Sequence, residues 1–274
     1  MEKSKSFSQI FRIIIQTALL ISLALAVRSL SVMISFMGAP GMRIGVASVF
    51  TRMPALLFGP FFGGIATGIV DVLGYLIRPE GAYIPLLTLT QILDGVLIGF
   101  IFREVKKAET KRIQTAMWIT FIVMGIIGAV NVIISKFYSQ SALALALDSM
   151  GKRKDYMLLG LIAVSLIGLL LLILNYAVQK KFPNSKIHKY YLKVLLTFAL
   201  VGIPVTIINT YILILFVPGL SKIGFTLFLI PRLLEEILMT VILSYISAFL
   251  LSVYDRLIKK QDLKVTDEPI EIRH

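Results

Sequence analysis

Seven ionisable residues lie inside otherwise apolar stretches of this sequence: Arg28, Arg52, Asp71, Asp94, Arg232, Glu235 and Glu236. A charged side chain in hydrocarbon is costly, so such residues face a bundle interior, a cavity or one another. Guanidinium forks bind carboxylates through two parallel hydrogen bonds, so buried arginines suit an anionic ligand. The same groups can instead be used in internal ion pairs, Arg52 with Asp71 or Arg232 with Glu235 or Glu236. For each arginine both uses stand open. Enzymatic constellations are not found. There is no glycine-rich phosphate loop followed by lysine, no Gly-x-Ser-x-Gly elbow, and only two histidines, His188 and His274, both outside the apolar stretches. ATP-driven work would therefore need another polypeptide. The sequence has no cysteine, which removes disulfides, thiolate metal sites and a cysteine nucleophile. No catalytic residue, metal or cofactor is expected.

The elements that must hold these charges are membrane-spanning helices. Of 274 residues, 57% are hydrophobic and 16% charged, against about 45–50% and about 25% in soluble domains. The apolar residues fall into runs such as Leu158–Leu174, which carries no charge. A span needs about 20 such residues. Eight segments are expected, at 10–36, 44–58, 60–77, 85–103, 114–136, 156–178, 190–217 and 224–255. The second is short, about 22 Å of helix, and must be shielded by neighbours or end in a cavity. The basic, then apolar N-terminus resembles a signal peptide, but its apolar stretch is too long and reads as a retained first helix. Gly59-Pro60 forms a tight turn, and Gly63, Gly64 and Gly68 let the third helix approach a neighbour closely.

Orientation follows from the loops. With eight spans, Lys3, Lys5, Arg12, the run Arg103–Arg112, Lys180, Lys181, Lys186, Lys189, Arg256, Lys259 and Lys260 fall on one side. Excess lysine and arginine mark the cytoplasmic side. The protein is thus expected in the cell membrane, multi-pass, with both termini cytoplasmic. The same rule explains the net charge of +13 better than nucleic-acid binding does. The cluster Lys152–Lys154 is an irregularity on the outer side, and the tail from Gln261 to His274 reads as a solvated end.

Depth can be counted along each helix. At about 1.5 Å per residue, Arg28, Arg52 and Arg232 each come out about 12 Å below the outer surface, and Asp71 about 9 Å. Three arginines and one aspartate would share an outward layer, as in a pocket open to the outside. Arg43 lies in the outer loop above them. Phe50, Tyr75, Tyr83, Tyr211 and Phe228 lie in the same half, where one or two can stack on a planar ring. Ala18, Ser22 and Ala26 recur every fourth residue on the first helix, a smooth stripe that lets another helix pack closely, in this bundle or from a partner.

Several stretches carry a family resemblance. Gly41-Met-Arg-Ile-Gly45, Pro54-Ala-Leu-Leu-Phe-Gly-Pro60, Gly68-Ile-Val-Asp-Val-Leu-Gly-Tyr75 and Gly81-Ala-Tyr-Ile-Pro85 resemble the substrate-binding S component of energy-coupling factor transporters, and within those the folate-type branch. Ile207-Ile-Asn-Thr-Tyr-Ile-Leu213 and Pro231-Arg232 resemble that branch's last two helices. The match covers about 1–104 and 188–258. It implies that outward loops and half-helices capture a vitamin, and that the chain docks on a transmembrane coupling subunit driven by two ATPases. It assigns that docking to the small residues of helix one, here Ala18, Ser22 and Ala26. Folate, with its pterin ring and glutamate carboxylates, needs arginines and aromatics in the outer layer.

The expected fold is all-α: a polytopic integral membrane bundle with a six-helix core (1–104 and 188–258), an inserted helix pair (105–187) and a polar tail (259–274). The loop 137–155 would be placed to cover the pocket. The expected function is a substrate-capture subunit for a small anionic vitamin, folate or a related pterin, and the chain is not an enzyme. Arg28, Arg43, Arg52 and Arg232 would meet ligand carboxylates. Asp71 would order an arginine or accept a hydrogen bond from the ring. Tyr75, Tyr83, Tyr211 and, within the resembling motif, Asn209 would complete the substrate site. The alternatives are another vitamin or nucleobase-like substrate, an ion-coupled carrier working alone, or an intramembrane enzyme using Asp71, Glu235 or Glu236.

Overall fold

In a computed structural model of the chain, the described residues are 7–30, 45–79, 81–138, 140–141, 145, 153–183, 185–220, 222 and 224–267. Among them are eight long helices: α1 (Phe7–Leu30), α2 (Ala47–Phe58), α3 (Pro60–Ile77), α4 (Pro85–Val105), α5 (Thr110–Phe137), α6 (Arg153–Lys181), α7 (Ile187–Phe216) and α8 (Phe225–Asp267). Seven are long and apolar enough to cross a membrane, and α2, with 12 residues, is the exception. The chain is a multi-pass helical membrane protein, with every expected segment occupied by a helix.

Local sequence sets the boundaries. Gly59 takes φ +97°, a conformation that favours glycine, and Pro60 opens α3 at its first position. Together they reverse the chain between α2 and α3 without a loop. Pro85 likewise opens α4. At the other end, α8 continues through Asp267, where the sequence reads as a solvated tail from Gln261. No glycine or proline follows Arg232 until Pro269, so nothing breaks the helix where its apolarity ends.

Close packing of α3 on α4 follows from glycine. A Cβ on Gly63 would lie 2.5 Å from the Gly95 carbonyl, and one on Gly68 would lie 2.8 Å from Ile92. On α4, a Cβ at Gly99 would meet Pro60 Cα at 2.6 Å, so the α2–α3 turn rests on Gly99. Gly99 lies six residues before the end of α4, about 9 Å along the helix. The turn therefore packs against α4 about two turns short of its end, and α2 and α3 form a helical hairpin closed by Gly59 and Pro60. Replacing Gly95 with leucine should separate these helices at an overpacking cost of about 1–3 kcal/mol. A thermal unfolding curve in detergent would show a lowered midpoint; an unchanged one would contradict the close approach.

The buried core joins the two ends of the chain. Val49, Met53, Ile98, Phe102, Val194, Phe198, Val201 and Leu243 form one cluster, drawn from α2, α4, α7 and α8. Helix α1 packs on α2 and α3, α4 packs on α7, and α7 on α8. The pair α5 and α6 pack on each other and then on α7 and α8. Their mutual contact is again tight: Ser165 Oγ donates to the Phe121 carbonyl at 2.6 Å, and a Cβ on Gly125 would lie 2.6 Å from Ser165 Oγ.

Candidate functional site

A cavity of about 610 Å³ opens among α1, α2, α3, α4, α7 and α8. It occupies the half of the bundle that holds the C-terminal ends of α1, α3 and α7 and the N-terminal ends of α2, α4 and α8. All seven charged residues singled out by their apolar surroundings line it: Arg28, Arg52, Asp71, Asp94, Arg232, Glu235 and Glu236. No described residue between 105 and 187 contributes to its wall, so the helix pair α5–α6 stands behind the core. Most of the loop 137–155 lies outside the described residues, as does Arg43.

The expected excess of arginine is not what the wall contains. Three guanidinium groups face four carboxylates. Arg52 pairs with Asp94, not Asp71: Nε to Oδ2 is 3.1 Å and Nη2 to Oδ1 is 3.2 Å, a bidentate fork. Its Nη2 also stands 3.8 Å from Glu236 Oε1, and its guanidinium lies 5.0 Å from the Phe198 ring centroid. The pair is nearly sealed, with side chains 14% and 3% exposed. Depth counting places residues along a helix axis but says nothing of which way they face, so it could not choose between Asp71 and Asp94.

Asp71 belongs instead to a second chain of polar groups. Arg28 Nη1 stands 3.8 Å from Asp71 Oδ1 and donates to the Val70 carbonyl at 3.1 Å. Thr88 Oγ1 donates to Asp71 Oδ2 at 2.6 Å, and Tyr83 OH lies 2.8 Å from Thr88 Oγ1. Threonine has one hydroxyl proton; with that proton on Asp71, Tyr83 must be the donor to Thr88. Gly74 makes room for this chain, because a Cβ there would lie 2.5 Å from Arg28 Cζ.

Arg232 is held differently. Its Nε donates to Thr210 Oγ1 at 3.1 Å, and its guanidinium lies 5.4 Å from the Phe228 ring centroid. Among the described residues no carboxylate lies within ion-pair distance of it. Glu236 is held by Thr206 and Thr240, each at 3.3 Å, and by a glycine: a Cβ on Gly202 would meet Glu236 Cδ at 2.9 Å.

Of the other expected site residues, Asn209 lines the cavity and accepts a hydrogen bond from Thr90. Tyr75, Tyr83 and Tyr211 do not line it. Tyr75 donates to the Gly81 carbonyl at 3.2 Å, and its ring lies 5.0 Å from that of Tyr83. Tyr83 reaches the wall only through Thr88. Tyr211 is exposed on the outer surface of α7. Helical residues advance about 100° each, so Asn209 and Tyr211 cannot share a face. Asp94, Glu235 and Glu236, singled out as buried charges but not as substrate residues, line the cavity, as do Gln91 and Thr206, which the sequence reading did not single out. A depth count also places Asp94, nine residues into α4, about 14 Å down and level with the arginines.

Among the described residues, apolar helices from both ends of the chain enclose a charge-lined cavity at one end of the bundle, a space that could hold a small solute. A family model described as ECF-type riboflavin transporter, S component, matches residues 9–151. The chain belongs to that family, whose members are transporter components and not enzymes. The folate transporter FolT of Clostridium novyi (strain NT) is 36% identical over 87 residues, which is 32% of this chain and 50% of that protein. The chain thus spans half the length of that relative. No solved structure matches.

Proposed function

We propose that the protein captures a small anionic vitamin, folate or a related pterin, from the outer face of the membrane and delivers it for ATP-driven import by a separate coupling subunit with two ATPases. The observation that carries this reading is Arg232: it faces the cavity over an aromatic ring and has no carboxylate at ion-pair distance among the described residues. A ligand carboxylate supplies the missing partner. A cavity of about 610 Å³ suits a vitamin, since small-molecule sites span about 300–1,000 Å³. The folate transporter among the relatives supports the same substrate. In this reading Arg28 and Arg52 present their remaining donors to the ligand. Asp71 orders Arg28, Asn209 contacts the ring, and Tyr83 with Tyr75 braces the rim through Thr88. Tyr211, facing outward, leaves the site.

A second reading is riboflavin, which the family's description names. It lacks carboxylates and would leave Arg232 without a carboxylate at ion-pair distance. Titration of purified protein with folate and with riboflavin, followed by calorimetry, separates the two. Folate should bind at least tenfold more tightly; tighter riboflavin binding would reverse the assignment.

The bundle end opposite the cavity carries the excess of lysine and arginine, which supports cytoplasmic termini. Ala18, Ser22 and Ala26 are all exposed on α1, which supports their use as a docking face for the coupling subunit. Ala18→Trp should then abolish vitamin uptake in cells while the isolated protein keeps its affinity. Unimpaired uptake would remove the docking assignment.

A further inference from the structure

At the other end of the molecule, a second space of about 760 Å³ lies between α6 and α8, roofed by the connection into α7. Its wall is apolar below and basic above. Val178, Phe182, Tyr245 and Phe249 form the apolar part, and Lys181 and Arg256 the rim. Tyr245, Phe249 and Arg256 are spaced at i, i+4 and i+11, so they share one face of α8. From Arg256 down to Tyr245 this face runs about 17 Å along the helix. Its near end, Tyr245, lies about 20 Å along α8 from Arg232 and its far end, Arg256, about 36 Å, and it shares no lining residue with the cavity described above.

We propose that this groove binds one anionic phospholipid, its phosphate between Lys181 and Arg256 and an acyl chain along Phe249 and Tyr245. The rim contains two cations and no carboxylate. The neighbouring acid, Asp255, is taken up elsewhere, accepting from Tyr190 OH and from Lys186 Nζ at 3.1 Å. Both rim residues are exposed, as are Phe182 and Phe249. Phe249 lies within the apolar part of α8 that is long enough to span a membrane, so the groove opens sideways at hydrocarbon depth. A free phosphate would need the rim alone, and a soluble protein cannot reach the apolar floor. A lipid matches both parts, and basic pockets between helices at the cytoplasmic face suit anionic head groups. The occupant would also join α6, from the extra helix pair, to α8 of the core.

The test is native mass spectrometry of the full chain released from nanodiscs of equal parts phosphatidylglycerol and phosphatidylcholine. The wild type should retain a single phosphatidylglycerol, favoured about tenfold or more over phosphatidylcholine, as two cations near one phosphate would give. The double substitution Lys181→Gln with Arg256→Gln should abolish that preference, and Lys181→Arg should keep it. Equal retention of the two lipids by the wild type overturns the proposal. So does undiminished phosphatidylglycerol preference in the double variant. Because the wild-type comparison needs no substitution, a variant that fails to fold leaves the result decisive.

Discussion

Arg52→Ala is expected to destabilise the bundle by about 3–5 kcal/mol, the usual result of removing one member of a buried ion pair. The substitution leaves the Asp94 carboxylate, 3% exposed, with neither of its two guanidinium hydrogen bonds. It also removes the cation that stands over Phe198 and faces Glu236. Asp94→Ala should cost less, because Glu236 remains near Arg52. The double substitution Arg52→Met with Asp94→Leu should recover much of the loss, since well-packed apolar residues often replace a buried pair without penalty. Thermal unfolding of the three variants in detergent gives the comparison. An Arg52→Ala protein with a wild-type midpoint would show that the fork contributes nothing to the fold.

Arg232→Ala should behave in the opposite way, keeping the fold and losing the ligand. Its guanidinium is anchored by one threonine hydroxyl and one aromatic ring, with Glu235 and Glu236 nearby but beyond ion-pair distance, so less structure depends on it than on the Arg52–Asp94 fork. A charge-assisted hydrogen bond to a ligand carboxylate is worth about 1.5–3 kcal/mol, so folate affinity should fall roughly 10- to 150-fold. Arg232→Lys should recover only part, because an ammonium cannot form the planar fork. Calorimetric titration measures the change, with the melting temperature as the control on folding. Unaltered folate affinity would remove Arg232 from the site and with it the main support for an anionic substrate.

The two arginines also show what the sequence could and could not reveal. That both lie inside spans, at similar depth, is visible from apolar run lengths and a count of residues. The helices themselves were legible for the same reason, as were the Gly59-Pro60 turn and the close approach of α3. The partner of each charge was not legible, because pairing depends on the rotation of each helix and on which helices are neighbours. Asp71 and Asp94 are equivalent by type and nearly by depth, and only packing gives one to Arg28 and the other to Arg52. Tyr211 stands away from the cavity for the same cause: it is on the outward side of α7. The supporting glycines Gly74 and Gly202 carry no chemical signal, and their use appears only when Arg28 and Glu236 are seen occupying the space beside them.

The distribution of the pairs has a consequence for how the protein is made. Arg28–Asp71 and Arg52–Asp94 are both formed within α1 to α4, so this first half is ionically closed by itself. Arg232, Glu235 and Glu236 arrive only with α8, after α5, α6 and α7 have been synthesised. The ribosome needs 127 residues to go from Val105 to Arg232, or about 6–25 s at ordinary elongation rates. During that interval the membrane already holds two arginines and two aspartates, each with a counter-charge beside it. The nascent chain can therefore wait in the bilayer, half-built, without an exposed charge calling for removal.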